Sequence, residues 1–267
     1  MLPDAVYLGV QHQVHSYQPK GRVARLGEID VYVSASSQPI HPQHVLVILP
    51  DGFGHAKHNF VLADLFAEKL GIQAMVPDYF KGEGLPVELL KYRRQPGVAI
   101  GDHNWPEDAK NTIRNTNIEV WLTRHPHERI EELLRGFVVA VYQIAPNTTF
   151  LGIGYCFGGK YVFTMAKEVF KAAAAFHPSF VIHEDLKGIR VPIYVGLAGN
   201  DVMVPASLPE DLKSWIQQEQ IQAIQEIYPN MPHGFAARPE AEDPANRDQF
   251  ERALKAAVDF FQRTLAA

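Results

Sequence analysis

Short apolar or β-branched runs alternate with longer amphipathic runs along most of the chain. The short runs have the length and composition of buried strands and span residues 29–34, 45–49, 73–77, 148–153, 172–176, 192–197 and 223–228. The longer runs repeat their apolar residues at helical spacing and span residues 59–70, 126–142, 160–171, 209–218 and 247–265. This alternation predicts an α/β fold, in which a mainly parallel sheet carries helices on both faces.

Three residues mark predicted helix ends. Asn59 and Asn246 precede amphipathic runs, and asparagine is a favoured N-cap because its side chain accepts a backbone N–H hydrogen bond. Gly71 follows such a run and predicts a helix end in the left-handed conformation.

One segment, residues 81–125, breaks the alternation. It is rich in glycine, proline, asparagine and charge, and it is too long for a simple connection. The sheet pattern resumes after it, so we interpret the chain as one domain over residues 1–267 with an inserted lid or substrate loop.

Composition and charge narrow the functional classes. The chain has 267 residues, of which 46% are hydrophobic and 21% charged, as in globular proteins. Its net charge is −5 and its basic residues are scattered, which argues against nucleic acid and membranes as partners. A single cysteine excludes an internal disulfide, and we see no secretion signal, so we expect a cytoplasmic protein.

A glycine-rich stretch, residues 151–162, holds that cysteine, and it permits two interpretations. Gly154, Gly159 and Lys160 have the spacing of a phosphate-binding loop. That loop needs small residues between the glycines and a serine or threonine after the lysine. Here the intervening residues are bulky and a tyrosine follows the lysine, so we disfavour nucleotide binding.

The favoured interpretation is a nucleophile elbow, in which Gly154 and Gly158 flank Cys156. A predicted strand precedes the turn and a predicted helix follows it, as this motif requires. The thiol would then lie at a helix N-terminus, where the dipole favours a thiolate. The competing interpretation is a buried, inert cysteine.

Two downstream residues complete a predicted catalytic triad. Asp201 follows the strand at residues 192–197, and His233 follows the strand at residues 223–228. The order nucleophile, acid, base is that of strand–nucleophile–helix hydrolases. Asp201 alone could form a turn and His233 alone could be a surface residue, but their order after Cys156 favours catalysis.

The motifs "GYCFGG", "AGNDVMVP" and "HGF" resemble signature regions of the dienelactone hydrolases, a branch of the α/β-hydrolase superfamily. Residues 49–84 also resemble the N-terminal region of this family, particularly of its fungal members. The resemblance covers residue 21 to the C-terminus. It implies an α/β-hydrolase fold, Cys156 as nucleophile, His233 as base and Asp201 as the residue that orients the base.

The resemblance and the elbow together give roles to residues at the end of the strand at residues 45–49. Asp51 matches a family carboxylate that contacts the resting thiol and is displaced by substrate; alternatively it is a turn residue before Gly52. The oxyanion hole is expected to use the backbone N–H of Phe157 together with that of Gly52 or Phe53.

The predicted substrate site departs from the bacterial enzymes, which place an arginine four residues after the histidine. Here that position is Ala237, and Arg238 follows it; Arg93 and Arg94 are the candidates for a second substrate arginine. We therefore expect a bulkier, largely neutral ester or lactone. Expected pocket residues, with His177 as a reserve candidate for the base, are Tyr79, Phe80, Tyr92, Trp105, His177 and Ser179.

Two functional classes remain. The first is a hydrolase of small esters, lactones or thioesters that works through an acyl-enzyme, in secondary metabolism. The second is a non-catalytic α/β-hydrolase scaffold that binds a small molecule. Histidine pairs invite a metal interpretation, but none has the helical spacing of a zinc site, so we expect no metal and no cofactor. The histidines in question are His41, His44, His55, His58, His125 and His127. The sequence does not set the oligomeric state.

Overall fold

The computed structural model describes residues 18–37, 40–91, 99–238 and 244–266. Its strands form one sheet in the order β1-β2-β4-β3-β5-β6-β7-β8. They are β1 Arg22–Leu26, β2 Ile29–Val33, β3 His41–Leu49, β4 Ile72–Pro77, β5 Thr149–Tyr155, β6 Phe170–Phe176, β7 Ile193–Asn200 and β8 Ala223–Pro232. Strands β3 to β8 are mutually parallel, whereas β2 is antiparallel to both β1 and β4. The predicted mainly parallel sheet is confirmed.

The helices connect these strands. They are α1 Lys57–Leu70, α2 Glu107–Asn115, α3 Ile118–Arg124, α4 His127–Ile144, α5 Phe157–Ala166, α6 His183–Leu186, α7 Leu208–Gln218 and α8 Pro244–Ala266. Two short 3-10 helices, Val87–Lys91 and Ile100–Asp102, lie between β4 and α2. In the described part of the chain, no helix combines the length and the apolarity needed to cross a bilayer.

Side chains from both faces of the sheet form two apolar cores. Val45, Val47 and Leu49 of β3 pack into the core covered by α4, α5 and α7. Leu46 and Ile48 of the same strand pack into the core covered by α1 and α8. The alternation follows from the period of two along a strand, and it confirms helices on both faces.

Several predicted boundaries are wrong. Asn59 is not an N-cap, because α1 begins at Lys57 and Asn59 lies inside it; Asn246 likewise lies inside α8. The predicted helix at residues 160–171 is also wrong at both ends. Helix α5 spans Phe157–Ala166, and the last two residues of the predicted helix already belong to β6. The helix end at Gly71 is confirmed, with a φ of 63°.

The sequence pattern missed strand β1 and helices α2, α3 and α6, as well as the two 3-10 helices. Strand β1 pairs only with β2 and is largely exposed, so it lacks an apolar signature. Helices α2 and α3 lie in the inserted segment, and each buries a single residue, Ala109 and Trp121 respectively. An amphipathic period is not detectable in helices that bury so little.

Candidate active site

The residues predicted to carry chemistry follow the carboxyl ends of parallel strands. Cys156, His177, Asp201 and His233 come directly after β5, β6, β7 and β8, and Asp51 comes two residues after β3. Because parallel strands end at one edge of a sheet, these five residues share that edge.

Cys156 lies on a strained turn between β5 and α5. Its φ of 51° and ψ of −115° are unfavourable for a residue with a Cβ, at a cost of about 1–3 kcal/mol. The neighbouring glycines are required by space. A Cβ on Gly154 would lie 2.3 Å from the Gly158 carbonyl oxygen, and one on Gly158 would lie 2.1 Å from that of Leu49. The turn therefore has the geometry of a nucleophile elbow.

His233 is oriented by Asp201. Its Nδ1 lies 2.8 Å from Asp201 Oδ2, and both side chains are at most 10% exposed. The other carboxylate oxygen accepts the Met203 backbone N–H at 2.9 Å. This arrangement leaves Nε2 of His233 buried and without a hydrogen bond of normal geometry to any described residue.

The thiol and the imidazole shift each other's pKa. Burial raises the pKa of Cys156, but the charge and hydrogen-bonding capacity of His233 outweigh it, and the pKa lies below the ordinary thiol value. Burial lowers the pKa of His233, but the Cys156 thiolate and Asp201 outweigh it and raise this pKa to about 10. Each group therefore favours the charged form of the other.

Ser179 contacts the nucleophile twice. Its Oγ lies 3.6 Å from Cys156 Sγ, and its backbone N–H donates to the Cys156 carbonyl at 2.9 Å. The sequence placed Ser179 in the pocket only as a residue near a strand end. Its contact with the sulfur depends on how the β6 loop folds over the elbow.

Asp51 is buried and binds residues of α1. Its Oδ2 lies 3.0 Å from His58 Nε2, and its Oδ1 accepts from Asn59 Nδ2 at 3.0 Å and from the Phe53 backbone N–H at 3.2 Å. Burial raises the pKa of this carboxyl, but the charge and hydrogen bond of His58 outweigh it and hold the pKa well below its usual range. The expected contact with the Cys156 thiol is not among the hydrogen bonds of the described residues.

Two backbone N–H groups remain candidates for the expected oxyanion hole. Phe157 is the first residue of α5, so its N–H has no acceptor within the helix. The Phe53 N–H is engaged by the Asp51 carboxylate, whereas the Gly52 N–H donates no hydrogen bond to a described residue. Of the two expected second donors, Gly52 is the better placed.

An aromatic wall lies beside the elbow. The rings of Phe80, Trp121 and Phe157 contact one another at centroid distances of 4.8, 5.3 and 5.4 Å. Tyr79 packs against this wall and donates its hydroxyl to the Pro50 carbonyl. Trp121 was not predicted as a wall residue, because it reaches Phe157 only through the placement of α3 in the folded chain.

Trp105, which the sequence did predict as a wall residue, stacks on His103 at a centroid distance of 3.8 Å. Both residues belong to the inserted segment. Tyr92, Arg93 and Arg94 lie outside the described residues.

His177 is buried against the predicted base. Its ring centroid lies 4.9 Å from that of His233, and its φ of 38° is a second strained backbone at this edge. Burial and the charge of His233 hold the pKa of His177 well below its ordinary value. Since Asp201 binds His233 and not His177, the geometry favours His233 as the base.

The Arg238 guanidinium packs against Gly234, the residue that follows His233. A Cβ on Gly234 would lie 2.7 Å from Arg238 Cζ, and the guanidinium stacks over the Phe53 ring at 5.6 Å from its centroid. Burial raises the pKa of Asp51, and the charge of Arg238 adds to that of His58 in lowering it.

Local contacts account for the lysine of the glycine-rich stretch and for the histidine pairs. Lys160 forms a buried ion pair with Asp185 at 2.7 Å, and that pair engages the lysine that a phosphate loop would need. His41 stacks on His44 at 4.1 Å, and His55 Nε2 lies 2.8 Å from the Val76 carbonyl oxygen. Within the described ranges, no group of three potential metal ligands comes together.

Comparisons with known proteins agree with this arrangement. The sequence model of the dienelactone hydrolase family matches residues 29–265. The hydrolase tropI of Talaromyces stipitatus is 27% identical over 255 residues, covering 92% of this chain and 91% of the relative. The hydrolase pyvD of Aspergillus violaceofuscus is 24% identical over 254 residues, covering 94% of each chain.

A solved structure shows the same fold. The crystal structure of dienelactone hydrolase from Anabaena variabilis superimposes with a TM-score of 0.58 at 14% identity, covering 92% of this chain and 97% of that one. With the family match over most of the chain and the sheet order described above, the resemblance drawn from the motifs is confirmed. The chain therefore belongs to the dienelactone hydrolase family of ester and lactone hydrolases.

Proposed function

We propose that this protein is a cysteine-dependent hydrolase that cleaves an ester or lactone of a small molecule through an acyl-enzyme. The observation that carries the proposal is that Asp201 orients the buried His233 at the same sheet edge as Cys156, where the imidazole lowers the pKa of the thiol. A protein that only bound a ligand would have no use for a charge-paired thiolate on a strained turn.

The chemistry uses the site residues in two steps. In the first, the Cys156 thiolate attacks the carbonyl carbon, and the developing oxyanion is held by the Phe157 and Gly52 N–H groups. The C–O bond then breaks, and His233 gives its Nε2 proton to the leaving alkoxide. In the second, His233 takes a proton from water as the water attacks the thioester, and the thiolate leaves.

The substrate that fits best is a bulky, largely neutral ester or lactone. The aromatic wall of Phe80, Trp121 and Phe157 makes the surroundings of the nucleophile apolar on that side. The Arg238 guanidinium is stacked on Phe53 and its charge already acts on Asp51, which makes it a weaker candidate for binding a substrate carboxylate.

The test is trapping of the acyl-enzyme. Wild-type protein mixed with an activated chromogenic ester should release one equivalent in a burst, and mass spectrometry should find the acyl group on Cys156. Cys156→Ala should keep the fold and lose both the burst and turnover. Hydrolysis by Cys156→Ala at the wild-type rate would refute the proposal.

A further inference from the structure

The resting position of the nucleophile is held by a residue outside the triad. Ser179 lies after β6, is buried, and directs its hydroxyl at the Cys156 sulfur from 3.6 Å. The backbone hydrogen bond between the same two residues fixes the Ser179 loop on the elbow, at 2.9 Å. A hydroxyl donates more strongly to a thiolate than to a neutral thiol, so this contact favours the charged form.

The carboxylate whose charge opposes the thiolate is held by other donors. Asp51 receives three hydrogen bonds, from the side chains of His58 and Asn59 and from the Phe53 backbone. Both of its oxygens are used, and His58 and Asn59 are themselves buried at the start of α1. The carboxylate is therefore held against α1 by donors that occupy three of its roughly four acceptor sites.

We infer that Ser179 on one side, and His58 with Asn59 on the other, are positioning residues that favour the thiolate form of Cys156 before any substrate binds. The inference rests on the proposed function, since it concerns the same nucleophile. It differs from what the family resemblance implies, in which a carboxylate holds the resting thiol until substrate displaces it.

The charges around the Cys156 sulfur explain why both Ser179 and the donors to Asp51 affect the pKa of the thiol. Alone, Asp51 would raise the pKa of Cys156 by repelling the thiolate, while His233 and the Ser179 hydroxyl lower it. The polar and charged groups around Cys156, His233 and Asp51 come from the carboxyl ends of five strands and from α1. They are Asp51 with His58, Tyr79, His177 with Ser179, Asp201 with His233, and Arg238.

The experiment measures thiolate directly in the unliganded protein. Cys156 is the only cysteine, so the rate of alkylation by iodoacetamide as a function of pH reports on one group. For the wild type, we expect the rate to reach its plateau with an inflection clearly below the ordinary thiol value of ~8.5. Ser179→Ala and His58→Leu should each raise the inflection by roughly one pH unit, the scale of one lost hydrogen bond or one uncompensated charge.

Conservative and compensating variants separate positioning from damage to the fold. Ser179→Thr keeps the hydroxyl and should stay close to the wild-type inflection. His58→Gln keeps a donor to Asp51 without a positive charge, so its inflection should lie between those of the wild type and His58→Leu. Adding Asp51→Asn to His58→Leu removes the uncompensated charge and should lower the inflection again. A misfolded protein would show no such recovery. Ser207→Ala, at an exposed serine, is the matched control.

The outcomes distinguish this inference from the proposed function. An inflection near ~8.5 in the wild type, or one that Ser179→Ala and His58→Leu leave unmoved, would overturn the inference. If Cys156→Ala still loses turnover in that case, the proposed function stands and only the poised resting state is wrong. If Cys156→Ala keeps turnover, the proposed function itself fails.

Discussion

Two buried carboxylate–imidazole pairs lie at the same edge of the sheet and look alike by distance. Asp201 and His233 are joined at 2.8 Å, and Asp51 and His58 at 3.0 Å. In the first pair the shifted partner is the imidazole, whose pKa is raised to about 10 by the thiolate and Asp201 against the effect of burial. In the second it is the carboxyl, whose pKa lies well below its usual range. Coupling to the thiol, and not a short hydrogen bond alone, therefore favours His233 over His58 as the base of the proposed triad.

The pairs also differ in how the chain builds them. Asp201 and His233 are 32 residues apart and meet because β7 and β8 are parallel neighbours. Asp51 and His58 are seven residues apart and meet because α1 begins directly after the turn that follows β3. The first pair therefore depends on the sheet as a whole, and the second on one local connection.

The largest expected effect separates the two histidines. His233→Ala removes the group that exchanges protons with leaving group and water, so kcat/KM should fall by about 10³-fold or more. His58→Ala should cost less than about tenfold, since it changes only the charge balance near the thiolate. Steady-state kinetics with an activated ester would measure both. Equal losses in the two variants would contradict the assignment of His233 as base.

The next effect separates the two carboxylates. Asp201→Asn places an amide at His233 Nδ1 and favours the wrong tautomer, so kcat should fall by about 10²- to 10³-fold with the fold intact. Asp51→Asn removes a charge that opposes the thiolate, so turnover should change by less than about tenfold.

The alkylation rate gives an independent check on this pair of carboxylates. The inflection for Cys156 should move downward in Asp51→Asn, because a repelling charge is gone. It should move upward in Asp201→Asn, because a weaker imidazolium compensates the thiolate less well. A shift of the same sign in both variants would show that the two carboxylates do not differ in role.

Much of this site could be predicted from the sequence, because the topology of a parallel sheet brings the residues after its strands together. Once a parallel sheet is predicted, residues placed directly after its strands, such as Cys156, Asp201 and His233, must share one edge. The contacts of His58, Ser179 and Trp121 did not follow. Each depends on the path of a loop or a short helix, which no periodic pattern encodes.

The same reasoning explains the errors in the fold. Strand β1 is an exposed edge strand, and its residues lack the buried alternation that reveals a strand. Asparagine is a residue type that favours helix N-caps, but the side-chain amide of Asn59 donates to the Asp51 carboxylate and the Gly54 carbonyl instead. A preference for helix caps was overridden here by a tertiary contact that only the fold creates.

The smallest expected effect concerns the cation next to the second pair. Arg238 packs against Gly234 and stacks on Phe53, and its charge helps to lower the pKa of Asp51. Its positive charge therefore already acts on the Asp51–His58 pair. If it also bound a substrate carboxylate, its loss would cost about 2–3 kcal/mol, or ~30- to 160-fold in kcat/KM. We expect instead that a lactone acid and its methyl ester differ little, with the ester preferred. In Arg238→Ala their ratio should change by less than about threefold, an amount below one ordinary hydrogen bond. Arg190→Ala, at an exposed arginine, is the control. A strong preference for the acid that disappears in Arg238→Ala would show that the arginine serves the substrate rather than Asp51.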